Sequence, residues 1–125
     1  MGHVSGTADE IRARVPGVDA TYAYIRDNVL TSGIVDQELK DICFRFVAGE
    51  VDPEDFGGRE RAALDWAHAI VWDSDRADDE LWERLLGYFS EPELVELGCS
   101  IGFELGQQHF VRTLGLRPEL PQARS

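Results

Sequence analysis

Most of the residues that could do chemistry on a small molecule stand on one stretch, Ser90 to Gly115. His109 is ionisable near neutral pH and can serve as a general acid or base. It also fits a plain structural role, because an imidazolium is favoured near the C-terminal end of a helix. Glu104 lies on the same stretch. If buried, its carboxyl would hold its proton to higher pH and mark a site. If exposed, it belongs to a polar row formed by Glu96, Ser100, Glu104 and Gln108. The two cysteines, Cys43 and Cys99, each fall inside an apolar helical pattern and are expected as buried free thiols. A buried thiol has a raised pKa and is a poor nucleophile.

Other chemistries find little support. Three histidines (His3, His68, His109) show no metal-ligand spacing. His68 is one turn from Asp65 and reads as a solvent-face pair with it. The acidic turn from Asp73 to Asp79 fails as a calcium loop. Its sixth position is Asp78 where glycine is required, and its twelfth is Arg84 where glutamate is required. Gly57-Gly58 lacks the lysine of a phosphate-binding loop, and no cofactor is expected. Trp66, Trp72, Trp82, Tyr22 and Phe103 read as core or interface aromatics.

The elements that must position these residues are helices. Ser90-Glu-Pro-Glu93 is a capping box with proline in the first turn, and Gly115 is a natural stop. Within that helix Gly98, Gly102 and Gly106 form one stripe, each costing about 1 kcal/mol relative to alanine. A close contact with another backbone or a ligand is the expected compensation, at Gly102 above all. Leu94, Leu97, Ile101, Phe103, Leu105 and Phe110 make the helix apolar on most sides, so it is expected at the centre with several neighbours.

Earlier in the chain, Thr7-x-x-Glu10 starts a short helix over Ala8 to Val15, ended by Pro16. Val18, Tyr22, Ile25 and Val29 give a second helix over Asp19 to Leu30. Leu39, Ile42, Cys43, Phe46 and Val47 give a third, Asp36 to Ala48. Ala63, Trp66, Ala67, Ile70 and Val71 give a fourth, Arg59 to Trp72. Leu81, Trp82, Leu85, Leu86 and Phe89 give a fifth, Asp79 to Phe89, capped from Asp78 or Asp79. Arg117 to Ser125, with its two prolines, reads as a tail. No strand alternation or repeat is visible, so the expected fold is an all-α bundle of five to six helices. It forms a single domain with its core at about 18–116.

Composition narrows the function. The 125 residues carry 24 acidic against 12 basic side chains, a net charge of −12. No basic patch is available for phosphates, which argues against nucleic acid and against anionic membranes as partners. The carboxylates Glu96 and Glu104 break the apolar run of the last helix, which is therefore not membrane-spanning. Met1 to Pro16 has no apolar core of a signal peptide, so a reducing, cytoplasmic setting is expected.

The segment Arg59 to Gly115 resembles the carboxymuconolactone decarboxylase and alkyl hydroperoxidase D-like (AhpD-like) family. The matching words are Arg-Glu-Arg-Ala-Ala-Leu-Asp-Trp-Ala-His-Ala, Asp-Asp-Glu-Leu-Trp-Glu-Arg-Leu, Phe-Ser-Glu-Pro-Glu-Leu-Val-Glu-Leu, Ile-Gly-Phe and Phe-Val-Arg-Thr-Leu-Gly-Leu. With Ser32 to Val47 resembling the family's preceding helix, the likeness spans about Ser32 to Leu116. It implies an all-helical chain that assembles with itself as a dimer, trimer or hexamer. Peroxidase members carry Glu, then Cys-x-x-Cys, then His. On the match through Leu39-Lys40-Asp41-Ile42 the relay glutamate position holds Asp41, and the first cysteine position falls at Pro53. The dithiol is absent, and Cys43 comes too early on that helix. Where other members have Asn-x-x-x-Arg after Ile-Gly-Phe, this chain has Leu105 and His109.

The resemblance, with the dithiol missing, implies acid–base chemistry on a small organic acid or lactone, with His109 and Glu104 as acid–base residues. Asp41 and Cys43 are further candidates. A catalytically silent oligomeric or binding protein on the same scaffold is one alternative. A residual thiol peroxidase using Cys43 or Cys99 is the other.

Overall fold

The computed structural model describes residues 3–122. It is all-helical, with six α-helices: α1 (Ala8–Ala13), α2 (Pro16–Ile25), α3 (Gln37–Val47), α4 (Gly58–Trp72), α5 (Asp79–Tyr88) and α6 (Glu91–Thr113). Short 3₁₀ turns, Pro53–Asp55 and Ser74–Arg76, fill the connections on either side of α4.

Local chemistry sets the helix ends. Thr7 accepts from the Glu10 amide at the start of α1, and Asp36 does the same for the Glu38 amide before α3. Asp78 accepts from the Leu81 amide before α5, and Ser90 and Glu93 form the full capping box of α6. Each cap satisfies donors that would otherwise be orphaned, worth about 1 kcal/mol. One helix end departs from expectation. The second helix does not run as one α-helix to Leu30 but widens into a π-helical turn, Arg26–Leu30. The carbonyl of Arg26 accepts from both the amide (3.0 Å) and the hydroxyl (2.8 Å) of Thr31, five residues on, which holds the wider turn.

The core lies between α3, α4, α5 and α6. Leu39, Cys43 and Val47 meet Ala63, Leu64 and Ala67, with Leu85, Leu94, Leu97 and Ile101 closing the layer. Removing each Leu or Ile side chain from water contributes about 1.5–3 kcal/mol. By contrast α2 has no buried residue, and Val18 is exposed. In α5, Leu86 is exposed rather than inward, because the buried stripe there runs through Leu81 and Leu85.

The long helix α6 is turned differently from the expectation. Its buried face is Leu94, Leu97, Ile101, Glu104, Gln108 and Val111, a three-then-four spacing, with Ser100 beside it. The supposed outer polar row is thus largely buried. Val95, Cys99, Phe103, His109 and Phe110 face outward. Cys99 is therefore an exposed thiol, not a buried one. Of the glycine stripe, only Gly98 answers a close contact within the chain. A Cβ there would stand 2.7 Å from Cη2 of Trp66, whereas at Gly102 and Gly106 it would meet nothing within 4 Å.

A buried ion pair fixes the roll of α6. The Lys40 side chain is fully buried, and its ammonium donates to the carbonyls of Val29 (2.8 Å) and Ser32 (2.6 Å) and pairs with Glu96 Oε2 (2.9 Å). All three ammonium donors are used. Glu96 in turn accepts from the amides of Ile34 (3.0 Å) and Val35 (2.7 Å). Burial pushes the Glu96 carboxyl up, but Lys40 and the two amides outweigh it and hold it below the ordinary range. The loop between the π turn and α3 is thereby clamped to α6. Gly33 makes room for the clamp: it has φ +119°, and a Cβ there would overlap the Glu96 carboxylate.

The chain ends return to this frame. The His3 amide donates to the Leu114 carbonyl (2.6 Å), and Pro121 is buried. Among the described residues no helix is long and apolar enough to cross a membrane.

Candidate functional site

A cleft of about 530 Å³ opens between α1, α2, α6 and the segment 116–122. Its size falls within the range typical of small-molecule sites. Four elements deliver its polar groups. From α6 come Glu104, Gln107 and Gln108; α1 provides Asp9 and Arg12; α2 provides Tyr22; and the π turn places Arg26.

Glu104 is the chemical centre. Its residue is only 2% exposed, and its Oε2 is buried with no hydrogen-bond partner. Desolvation pushes its carboxyl up to about 7, against a smaller opposing effect of the Arg12 charge. Near neutral pH it is therefore poised to give or take a proton. Gln108, one turn on, is equally buried. Its Nε2 donates to the Phe44 carbonyl (3.1 Å), which leaves Oε1 buried without a partner.

Two buried cations share the cleft. Arg12 donates through Nε to Gln107 Oε1 (2.8 Å) and through Nη1 to Asp9 (3.1 Å). Its guanidinium lies 3.8 Å from the centroid of the Tyr22 ring, and that of Arg26 lies 5.8 Å from it. These are cation–π distances, and Tyr22 holds both guanidinium planes in place. Arg26 is further oriented by Asp27, at 2.9 Å from Nε and 3.4 Å from Nη2. Burial raises the Tyr22 phenol above its ordinary range, so it stays a neutral donor. A planar guanidinium recognises carboxylate geometry well, and here two of them border an ionisable carboxyl.

The residues expected from the sequence do not converge. Glu104 is in the cleft, whereas His109 is exposed and, five positions further round the helix, points away from it. Asp41 accepts from Gln37 Nε2 (3.0 Å), whose amide also donates to the Leu30 carbonyl (2.9 Å), so it braces the start of α3. Cys43 lies in the core, where burial pushes its thiol up to about 12. His68 does not take Asp65 as its partner. That carboxylate is held by Arg61 (2.8 Å) and Arg84 (2.9 Å), while His68 stacks at an angle on Phe46, 6.2 Å between centroids.

Arg12 and Arg26 are cleft residues that the sequence patterns did not single out, and Tyr22, expected as a core or interface aromatic, stands on the cleft wall. One signal was present: Tyr22 and Arg26 are four apart, the spacing of same-face neighbours on a helix. Nothing local marks Arg12, whose burial depends on α6. Comparison with protein-family models, curated proteins and solved structures finds no match.

Proposed function

We propose that this chain is an acid–base catalyst acting on a small organic acid or lactone, with Glu104 as the proton-transferring group. The observation that carries the reading is the Glu104 carboxyl, buried and unpartnered at Oε2, on the wall of a ligand-sized cleft. Arg12 and Arg26 hold the substrate anion, and Tyr22 donates to a developing oxyanion. In a decarboxylation, the electron pair of the C–C bond passes to the carbon beside the substrate carbonyl as carbon dioxide leaves. That carbon takes its proton from Glu104, and water then reprotonates the carboxylate. In a proton transfer, Glu104 removes and returns a proton at the same carbon.

Kinship with the carboxymuconolactone decarboxylase and alkyl hydroperoxidase D-like family belongs to this proposal. Its supports are the motif order from Arg59 to Gly115 and a compatible all-helical arrangement. The burial of Cys43 speaks against Cys43 as the thiol of the peroxidase alternative, because a thiol pushed up to about 12 supplies almost no thiolate at neutral pH; only the exposed Cys99 is left to that reading. We also propose that the chain associates with itself through the outer face of α6. That reading rests on the exposed Val95, Phe103 and Phe110 beside the open Gly102 and Gly106. Sedimentation as a monomer at micromolar concentration overturns it.

The test of catalysis is a panel of 3-oxo acids and carboxylated lactones, with and without a free hydroxyl or ammonium group, in deuterated buffer, read by proton NMR for C–H exchange and by carbon dioxide release. Glu104→Gln is expected to lower turnover by about 10²–10⁴-fold with native circular dichroism. His109→Ala is expected to retain it. An inert wild type across the panel, or full turnover by Glu104→Gln, removes Glu104 from the role.

A further inference from the structure

Beside the Glu104 carboxyl, the cleft holds a second orphaned oxygen, Gln108 Oε1, that the proton-transfer role does not use. Glu104 and Gln108 stand one helical turn apart, both 2% exposed, and each presents a buried acceptor oxygen with no donor. Orphaned acceptors at such depth are costly, so groups of this kind mark a place where a donor belongs. The Gln108 amide cannot turn to correct this without giving up its bond to the Phe44 carbonyl. Around this acceptor pair stand two guanidinium groups, with the carboxylates of Asp9, paired to Arg12, and Glu119 also on the cleft wall. Arg12 commits Nε and Nη1 to protein acceptors, and Arg26 commits Nε and Nη2. One terminal nitrogen of each guanidinium, Nη2 of Arg12 and Nη1 of Arg26, takes no part in those bonds. Anion recognition and donor recognition therefore meet in one cleft. Leu116 and Leu120, both half-buried, add apolar wall on the side of the last segment.

We infer that the cleft takes a small carboxylate carrying a second polar group that donates hydrogen bonds, a hydroxyl or an ammonium, with the donor seated between Glu104 and Gln108. This names the substrate class of the site proposed above and rests on that proposal. The carboxylate binds the arginines. The hydroxyl or ammonium satisfies the two orphaned oxygens, which reject an analogue that lacks it.

Calorimetric titration of the full chain with four matched probes tests this. The probes are 3-phenyllactate, phenylalanine, 3-phenylpropionate and 2-phenylethanol, each at up to about 10 mM, a range that detects millimolar affinity. Phenyllactate or phenylalanine is expected to bind at least about tenfold tighter than phenylpropionate. Whichever of the two is preferred identifies the donor as hydroxyl or ammonium. Phenylethanol is expected not to bind. In Glu104→Met the preference is expected to vanish while phenylpropionate still binds, since the arginines remain. Equal affinity for phenylpropionate and both donor-bearing acids overturns the donor seat and leaves the anion site standing. Binding of phenylethanol as tightly as the acids, or no binding by any carboxylate, overturns the anion site and the inference with it. If Glu104→Met loses its native circular dichroism, Gln108→Met supplies the same comparison.

Discussion

At the scale of single residues, the consequence of burying Glu104 reaches stability as well as chemistry. Its pKa is raised in the folded chain to about 7, from an ordinary value of 4.5. The folded state thus binds the proton more tightly than the unfolded state does. The stability this group allows is fully present below about pH 4.5 and is lost as pH rises through about 7. A shift of that size corresponds to about 3 kcal/mol between the two limits. Urea unfolding of the wild type and of Glu104→Gln at pH 5 and pH 8.5 should show the difference. Relative to the wild type, the glutamine variant is expected to gain stability on going from the lower pH to the higher. A constant offset between the two proteins at both pH values would mean that Glu104 is solvated and ordinary. Lys40 is the opposite case, a buried charge with every donor satisfied. Lys40→Met is expected to cost about 3–5 kcal/mol, because Glu96 would keep its charge without its cation. An unfolding midpoint close to that of the wild type would show that the clamp contributes nothing net.

Among the elements, α6 separates what the sequence makes legible from what it hides. Its ends were readable because capping is local: Ser90, Pro92, Glu93 and Gly115 sit where helix geometry demands such residues. The same holds for Thr7 and Asp78, whereas Asp36, expected as the first residue of the third helix, stands just outside it as the cap. The roll of α6 was not readable. Polar and apolar residues alternate around it with little contrast, and glycine has no side chain to favour either face. What decides the roll is non-local: the Lys40 clamp on Glu96 and the Trp66 ring over Gly98. Lys40 itself falls within an ordinary amphipathic helix, and no local pattern announces its burial. For the same reason Glu104 could be picked out as a candidate but not assigned to the interior. The stripe of glycines therefore divides. Gly98→Val should overpack against Trp66, itself set edge-on to Trp82 at 5.5 Å between centroids, and lose about 1–3 kcal/mol. At concentrations where the chain is dissociated, Gly102→Ala should stabilise the subunit by up to about 1 kcal/mol, because the added methyl meets no atom of its own chain and helix propensity improves. Thermal unfolding of the two variants checks both signs. A destabilising Gly102→Ala would instead indicate that another copy covers this face.

For the whole molecule, the described segments that flank the helical bundle, residues 6–7 and 116–122, are part of the cleft rather than appendages to the fold. The described N-terminal residues Gly6 and Thr7 border the cleft from one side, and residues 116–122 border it from the other. The amide of His3 reaches the Leu114 carbonyl, which ties the beginning of the chain to the end of α6. These segments add little to the main core, which is complete between α3, α4, α5 and α6. Removing residues 116–125 should therefore leave the helical bundle folded. It should also admit water to the wall that carries Glu104, since Leu116, Leu120 and Pro121 no longer border the cleft. Desolvation is the cause of the raised Glu104 pKa, so the truncated chain should titrate this carboxyl closer to its ordinary 4.5 than to 7. A carbon-13 NMR titration of labelled glutamate side chains, with Glu104→Gln to assign the resonance, measures this directly. Decarboxylation at neutral pH should slow with it, because an ionised carboxylate has no proton to give to the carbanion. If the shortened protein keeps native circular dichroism and its Glu104 still titrates near 7, the last segment does not control access of water, and α1, α2 and α6 alone keep the carboxyl dry.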